Sequence, residues 1–293
     1  MVIKEKEKIA MNLMQQLSGI ADNIFERNDL KCYLDLCVAL DYLAYYNQLL
    51  IYRQFPNARL VAGSGTWKEH YSGEGEVLKR KYKTFGLDII VPFLFGSSVH
   101  DQYLSFIPVK VYDISQTNIE NYILPESIYV PRSAIHSELL LEALSAYISN
   151  DLHHRVVFEI PDKHKRLYPP GTITRFMVTV KEELSDYQKL LWLVESMAFL
   201  YYEETKREGY SEEFEILFIS SICYMLLSRW QIAHPEIYLQ NKALVKSIPK
   251  DLREEFCKVL QKGYRSIENS IQALYYYYRF GGSDPFDDEG MMF

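Results

Sequence analysis

Ile9, Leu13, Leu17, Ile20 and Ile24 recur at steps of three and four among charged and polar neighbours, which predicts amphipathic helix through residues 1–30. Leu34, Val38, Tyr42, Tyr45 and Leu49 repeat the pattern over 31–54. It stops at Pro56, Asn57 and the GSG of 63–65, which read as a break. GLDIIVPFLF (86–95) and YLSFIPVKVYDI (103–114) are rich in Ile, Val, Phe and Tyr and predict two strands joined by the loop GSSVHDQ (96–102). Residues 118–133, with Pro125 and Pro131, read as a connector. Beyond it come a helix over 134–151, a strand over 156–161, a charged turn over 162–171 and a second strand over 172–180. Residues 182–230 are mostly helical in pattern, and a last helix spans about 250–280. Helices with a small sheet followed by a mostly helical half make the chain α+β.

Composition adds few constraints. The chain has 293 residues, 48% hydrophobic and 24% charged, which suits a globular protein with a core. Its formal net charge of −7 argues against a protein that coats DNA without a local basic patch. Tyrosine is abundant at 24 residues, and its ring with a polar tip fits cores, interfaces and base stacking alike. No apolar run reaches the about 18–20 residues of a membrane span, and the Lys/Glu-mixed start lacks the apolar stretch of a signal peptide, so no membrane partner is expected. Cys32, Cys37, Cys223 and Cys257 form no C-x-x-C pair and read as reduced thiols of a cytoplasmic protein.

One helix carries a chemical hint. LWLVESMAFLYY (191–202) places Glu195 where the H-E-x-x-H helix of zinc hydrolases has its working glutamate, but Val194 and Ala198 stand at the two histidine positions. Zinc needs three or four N, O or S donors, and without the metal Glu195 has no polarised water to deprotonate. An ordinary buried helix with one Glu is the alternative. His70, His100, His136, His153, His154, His164 and His234 show no paired ligand spacing on a helix. GSGTWK (63–68) lacks the spacing of a phosphate-binding loop. No cofactor and no metal are expected.

Residues 45–70, YYNQLLIYRQFPNARLVAGSGTWKEH, resemble the N-terminal domain of the ArdC-like antirestriction family at Asn47, Leu50, Ile51, Gln54, Pro56, Val61, Gly63, Thr66, Trp67 and Lys68. Gly86–Pro92 and VKVYDISQT (109–117) resemble its later strands. The run Lys79-Arg80-Lys81-Tyr82-Lys83 lacks the glycine of that family's turn. The resemblance implies a single-stranded-DNA-binding domain at 1–117, the connector 118–133, a degenerate zincin-like domain at 134–280 and an acidic tail at 281–293. It places the lost third metal ligand at Phe218, on the second helix, with Glu213 and Glu215 nearby. It also implies a protein of phages or mobile elements acting in the bacterial host cytoplasm.

Candidate nucleic-acid contacts are Asn47, Arg53, Trp67, Lys68, Tyr71, Lys79, Arg80, Lys81, Tyr82 and Lys83, where cations lie beside flat rings among Glu69, Glu74 and Glu76. The tail DPFDDEGMMF is similar in character to the acidic tips of bacterial single-stranded-DNA-binding proteins. That makes Phe286, Asp287, Asp288 and Phe293 candidate contacts for a partner protein, with a solubilising tail as the alternative. Tyr275–Tyr278 cover all sides of a helix, which favours burial in a core or in a subunit interface over a free surface; the second alternative implies a homo-oligomer. The expected role is a non-catalytic anti-defence protein that binds single-stranded DNA, a host nuclease defence complex, or both. The alternatives are an accessory factor of replication or conjugative transfer, and a metal-dependent hydrolase using Glu195, Glu213, Glu215 and a histidine.

Overall fold

The computed structural model describes residues 2–70, 84–95, 103–117, 136–159, 171–232, 239 and 241–279, with backbone alone at 2, 3 and 68–70. The architecture is α+β, in two compact units. One comprises Met1–Val130 with Leu239–Gln261, and the other Pro131–Tyr238 with Lys262–Phe293. The return of Leu239–Gln261 to the first unit departs from the linear division drawn from the sequence.

The first unit opens with helices α1 (Val2–Met14), α2 (Leu17–Arg27), α3 (Leu30–Ala39) and α4 (Tyr45–Gln54). The single amphipathic run expected over 1–30 is therefore broken at Gln15–Gln16. Helix α2 stops because Asn28 takes the left-handed conformation, at φ 56°, and its N–H reaches back to the carbonyls of Ile24 and Phe25. Strand β1 (Val61–Ala62) and helix α5 (Ser64–His70) follow, so the GSG break begins a short helix. Strands β2 (Leu87–Phe95) and β3 (Tyr103–Asp113) form a long antiparallel pair, and β1 pairs with the far end of β3 in the order β1-β3-β2.

Side chains of α4 finish this sheet. The Asn47 amide donates to the Ile90 carbonyl and accepts from the Ile90 N–H, both at 2.9 Å. One heptad on, and so on the same face, the Gln54 amide makes the same pair of bonds to Asp88, at 2.9 and 2.8 Å. Two helical amides thus take the place of a further strand along β2. Ile90 faces Pro108 across the ladder, and its backbone groups point away from β3, so the missing N–H of Pro108 costs no ladder bond.

Strand β3 ends in a joint made by Asp113, 1% exposed. Its carboxylate accepts from the backbone of Arg59, Leu60 and Ser115 and from the Ser115 hydroxyl, while the Gln116 side chain returns to the Asp113 N–H. The DISQT stretch is therefore a knot that ties the chain after α4 to the sheet. Helix α9 (Lys242–Ser247) and the start of α10 (Lys250–Arg279) also belong to this unit. Phe256 packs edge-on against Phe25 at 5.5 Å, and buried Arg253 meets Asp22 and Glu26 at 3.4 and 2.8 Å.

The second unit contains α6 (Ser137–Asn150), β4 (Arg155–Glu159), β5 (Gly171–Ile173), β6 (Met177–Lys181), α7 (Asp186–Thr205), α8 (Glu212–Arg229) and the rest of α10. Its sheet order is β4-β6-β5, with β4 parallel and β5 antiparallel to β6. The single strand expected over 172–180 is instead two, folded back where the Thr174 N–H reaches the Met177 carbonyl at 2.8 Å. Alternation survives a tight hairpin, so the pattern did not reveal the turn. Helix α7 starts in a capping box, Ser185 with Gln188, and α8 starts on the Ser211 hydroxyl.

Candidate functional site

Helix α7 carries the helix with the lone glutamate, and its Trp192 indole anchors it to the sheet by donating to the Thr179 carbonyl at 2.9 Å. Val194 and Ala198, one turn apart, are both 0% exposed, and Phe218 of α8 is 2% exposed. The Phe218 ring lies 5.4 Å from that of Tyr202. Behind them Gly263 of α10 approaches so closely that an added Cβ would stand 3.0 Å from the Tyr201 ring and 3.1 Å from the Phe218 ring. Val194, Ala198 and Phe218 are thus packed in the interior, and their own side chains carry no atom that can bind a metal.

Glu195 points away from this interior and is exposed as a residue. Protein around its carboxyl still raises its pKa by desolvation. Water that reaches the exposed side chain screens part of that penalty. Cys223 of α8 is its neighbour, and burial first and the Glu195 charge second push the thiol well above its ordinary value. A thiol held in that state is a poor nucleophile.

Among the described residues the alternative ligand set is not brought together. Glu195 interacts with Cys223, whereas Glu215 interacts with Tyr202, seven residues further along α7, which is about 10 Å of helix. Glu213 sits in the first turn of α8, where its own N–H and the Ser211 hydroxyl lower its pKa. His136 and His153 are exposed, and the His154 ring turns to the Leu152 carbonyl. His100, His164 and His234 lie outside the described residues. Among the described residues no three His, Cys, Asp or Glu side chains gather into a metal-sized cluster.

The expected nucleic-acid contacts need revision. Asn47 is 5% exposed and committed to Ile90, and Trp67 is 3% exposed with its indole donating to the Tyr112 carbonyl at 3.0 Å. A ring packed on Leu60, Ala62, Tyr112 and Ile114 has no face left for a base, so Asn47 and Trp67 are structural here. Arg53 is exposed and bonds to the Gln16 side chain. Lys68 lies in α5. Tyr71, Lys79, Arg80, Lys81, Tyr82 and Lys83 lie outside the described residues, as do Phe286, Asp287, Asp288 and Phe293 of the tail.

A row of rings was missed. At the outer end of the β2–β3 pair, Phe93 and Phe95 have centroids 4.8 Å apart, and Phe95 stacks on Tyr103 at 5.3 Å with 21° between planes. Phe93 is 47% and Tyr103 52% exposed. The signal was in the sequence: alternation gives way to unbroken apolar FLF at 93–95, leaving side chains on both faces.

Among the described residues no helix is long and apolar enough to cross a membrane. No family model and no curated protein matches this sequence. The fold is similar to crystal structures of the antirestriction ArdC protein from plasmid R388. The metal-free form gives a TM-score of 0.47 at 11% identity and the Mn(II)-bound form 0.45 at 14%, each over 78% of this chain and 85% of that one.

Proposed function

We propose that this is a non-catalytic anti-defence protein of the antirestriction type, from a phage or mobile element, that works by occupancy in the host cytoplasm. It binds single-stranded DNA, a host nuclease defence complex, or both. The observation that carries the non-catalytic part is the closed packing of Val194, Ala198 and Phe218 around the place where the degenerate helix would need donors. The binding part rests on the sequence resemblance over roughly residues 30–117. Asn47, Gln54, Trp67 and Asp113 support the same reading as joints that hold the first unit in shape.

The test pairs an assay in cells with one in solution. Restriction of incoming unmodified DNA is measured in a restricting host that expresses the chain or its Glu195→Gln variant, and metal content is measured after purification without chelators. Equal protection by both, from metal-free protein, is the expected result. Stoichiometric metal, or protection lost with Glu195→Gln in a folded protein, would overturn the non-catalytic reading. Absence of protection by the parent chain would overturn the antirestriction role.

A further inference from the structure

Helix α6 and strand β4 of the second unit leave a groove of about 550 Å³. Helix α6 contributes Ser145, Ala146 and Ser149 to it, β4 contributes Val156 and Phe158, and α10 contributes Tyr278. Phe158 is 44% exposed. Among the described residues β4 is an edge strand, in the order β4-β6-β5. The Arg155 N–H donates to the Phe176 carbonyl and the Glu159 carbonyl accepts from the Glu182 N–H, so these alternate residues turn to the β6 side. Val156 and Phe158 turn their backbone groups the other way, where no described strand pairs with them. The groove also has a direction. The His136 N–H donates to the Tyr275 hydroxyl at 3.3 Å, which places the start of α6 by the end of α10. The His154 N–H donates to the Ile148 carbonyl at 3.0 Å, so the chain turns straight from α6 back into β4. A chain leaving α10 therefore enters beside Glu142 and Phe158 and meets Ser149, Val156 and Arg155 last. Arg155 and Arg175 are exposed at that far end, alongside Asp151.

We propose that the chain's own C-terminal segment, 280–293, docks in the α6–β4 groove as an antiparallel strand on the edge of β4, with Phe286 against Phe158 and Asp287, Asp288 and Glu289 toward Arg155 and Arg175. The inference does not depend on the function proposed above. Tyr278 already lines the groove, and fourteen residues follow Arg279. Extended, they reach about 46 Å, whereas the groove from Glu142 to Ser149 is about 10 Å long. Phe280, Phe286, Met291, Met292 and Phe293 supply apolar side chains, and covering the half-open Phe158 ring is favourable. The segment passes Glu142 on uncharged Gly281, Gly282 and Ser283 and brings its acids only from Asp284 on, toward the two guanidinium groups. Pro285 is tolerated in an edge strand when the side without an N–H faces outward. Residues 160–170 also begin beside the groove, but they lead to β5 at the opposite edge, and their Lys163, Lys165 and Arg166 have the wrong sign for Arg155. A docked tail closes an edge that would otherwise pair with another chain.

The experiment uses the full chain with Phe158 replaced by the photoreactive p-benzoylphenylalanine, and mass spectrometry of the illuminated protein reads what covers that position. Crosslinks within one chain to residues 284–293 are the expected result. Arg155→Glu/Arg175→Glu is expected to lower their yield, and adding Asp287→Lys/Asp288→Lys to restore it. Hydrogen exchange of the β4 peptide is then compared between the unmodified chain and Phe286→Ala/Phe293→Ala. Exchange is expected to speed at least about tenfold in the tail variant, with the α7 and α8 peptides unchanged. Crosslinks to 118–135 or 160–170, crosslinks between two chains, or no crosslink at all overturn the docking. So does β4 exchange that the tail variant leaves unaltered.

Discussion

The Asn47 side-chain amide forms both of its bonds with a single residue, Ile90, taking the N–H and giving to the carbonyl as a neighbouring strand would. Gln54 repeats the arrangement at Asp88. An exposed strand edge invites pairing with another chain, and here a helix closes it without contributing backbone. Asn47→Ala strands two buried backbone groups and is expected to destabilise the chain by about 2–3 kcal/mol. Asn47→Asp is expected to cost a similar amount, because a carboxylate cannot donate to the Ile90 carbonyl. Gln54→Ala, at an exposed site, should cost about 0.5–1 kcal/mol. Urea unfolding ranks the three, and equal midpoints for Asn47→Ala and the parent would refute the edge-closing role.

Gly171 decides whether β5 can lie against β6. A Cβ there would fall 1.9 Å from the Thr179 carbonyl oxygen and 2.4 Å from the Trp192 indole nitrogen. Neither atom can give way without breaking the Trp192–Thr179 bond that ties α7 to the sheet. Gly171→Ala is therefore expected to lower stability by about 3 kcal/mol or more. Thermal unfolding followed by tryptophan emission reads it directly.

Tyr33 is 0% exposed, and among the described residues its hydroxyl meets the thiols of Cys37 and Cys257, which accept hydrogen bonds weakly. Burial drives its pKa well up. Its contacts fall short of a well-formed hydrogen bond, so the hydroxyl counts as unsatisfied. Tyr33→Phe keeps the ring and is expected to be neutral or to stabilise by up to about 1 kcal/mol. A loss above that in differential scanning calorimetry would mean the hydroxyl holds more than the thiols.

Two glutamates should respond to acid with opposite signs. The Arg253 guanidinium holds the Glu26 carboxyl below its ordinary 4.5, by a hydrogen bond first and by charge second. A depressed carboxylate stabilises the fold above its unfolded pKa, and that contribution is lost as pH falls from about 4.5 through the lower folded value. Glu195 is raised by desolvation, so its stabilising contribution is greatest below the ordinary value and is lost as pH rises through the folded one. Glu26→Gln should thus be less stable than the parent at pH 7, and the gap should close at acid pH. Glu195→Gln should be equal to or more stable than the parent at pH 7 and lose that advantage below about pH 4. Urea midpoints between pH 3 and 7 test both, and matching trends would contradict the assignments.

The sequence by itself determined which stretches become helix and strand wherever one period runs unbroken. The β2–β3 pair, α6 and α10 come close to their expected limits because apolar spacing and backbone hydrogen bonding agree there. It also determined that Val194, Ala198 and Phe218 bring no donors, since that is a matter of residue type alone. Tertiary structure decided what spacing leaves open. Whether Asn47 and Trp67 face outward or inward depends on a strand some forty residues away, so an amide and an indole that read as nucleic-acid contacts become joints. Return of the Leu239–Gln261 segment to the first unit depends on Arg253 finding Asp22 and Glu26 more than two hundred residues away, and Phe256 finding Phe25. The turn inside 172–180 was hidden, because a period of two is the same in a strand or a hairpin, and only the partner strand fixes which face is covered; the unbroken FLF of 93–95 showed that apolar side chains lie on both faces there, but not that Phe95 would stack on Tyr103.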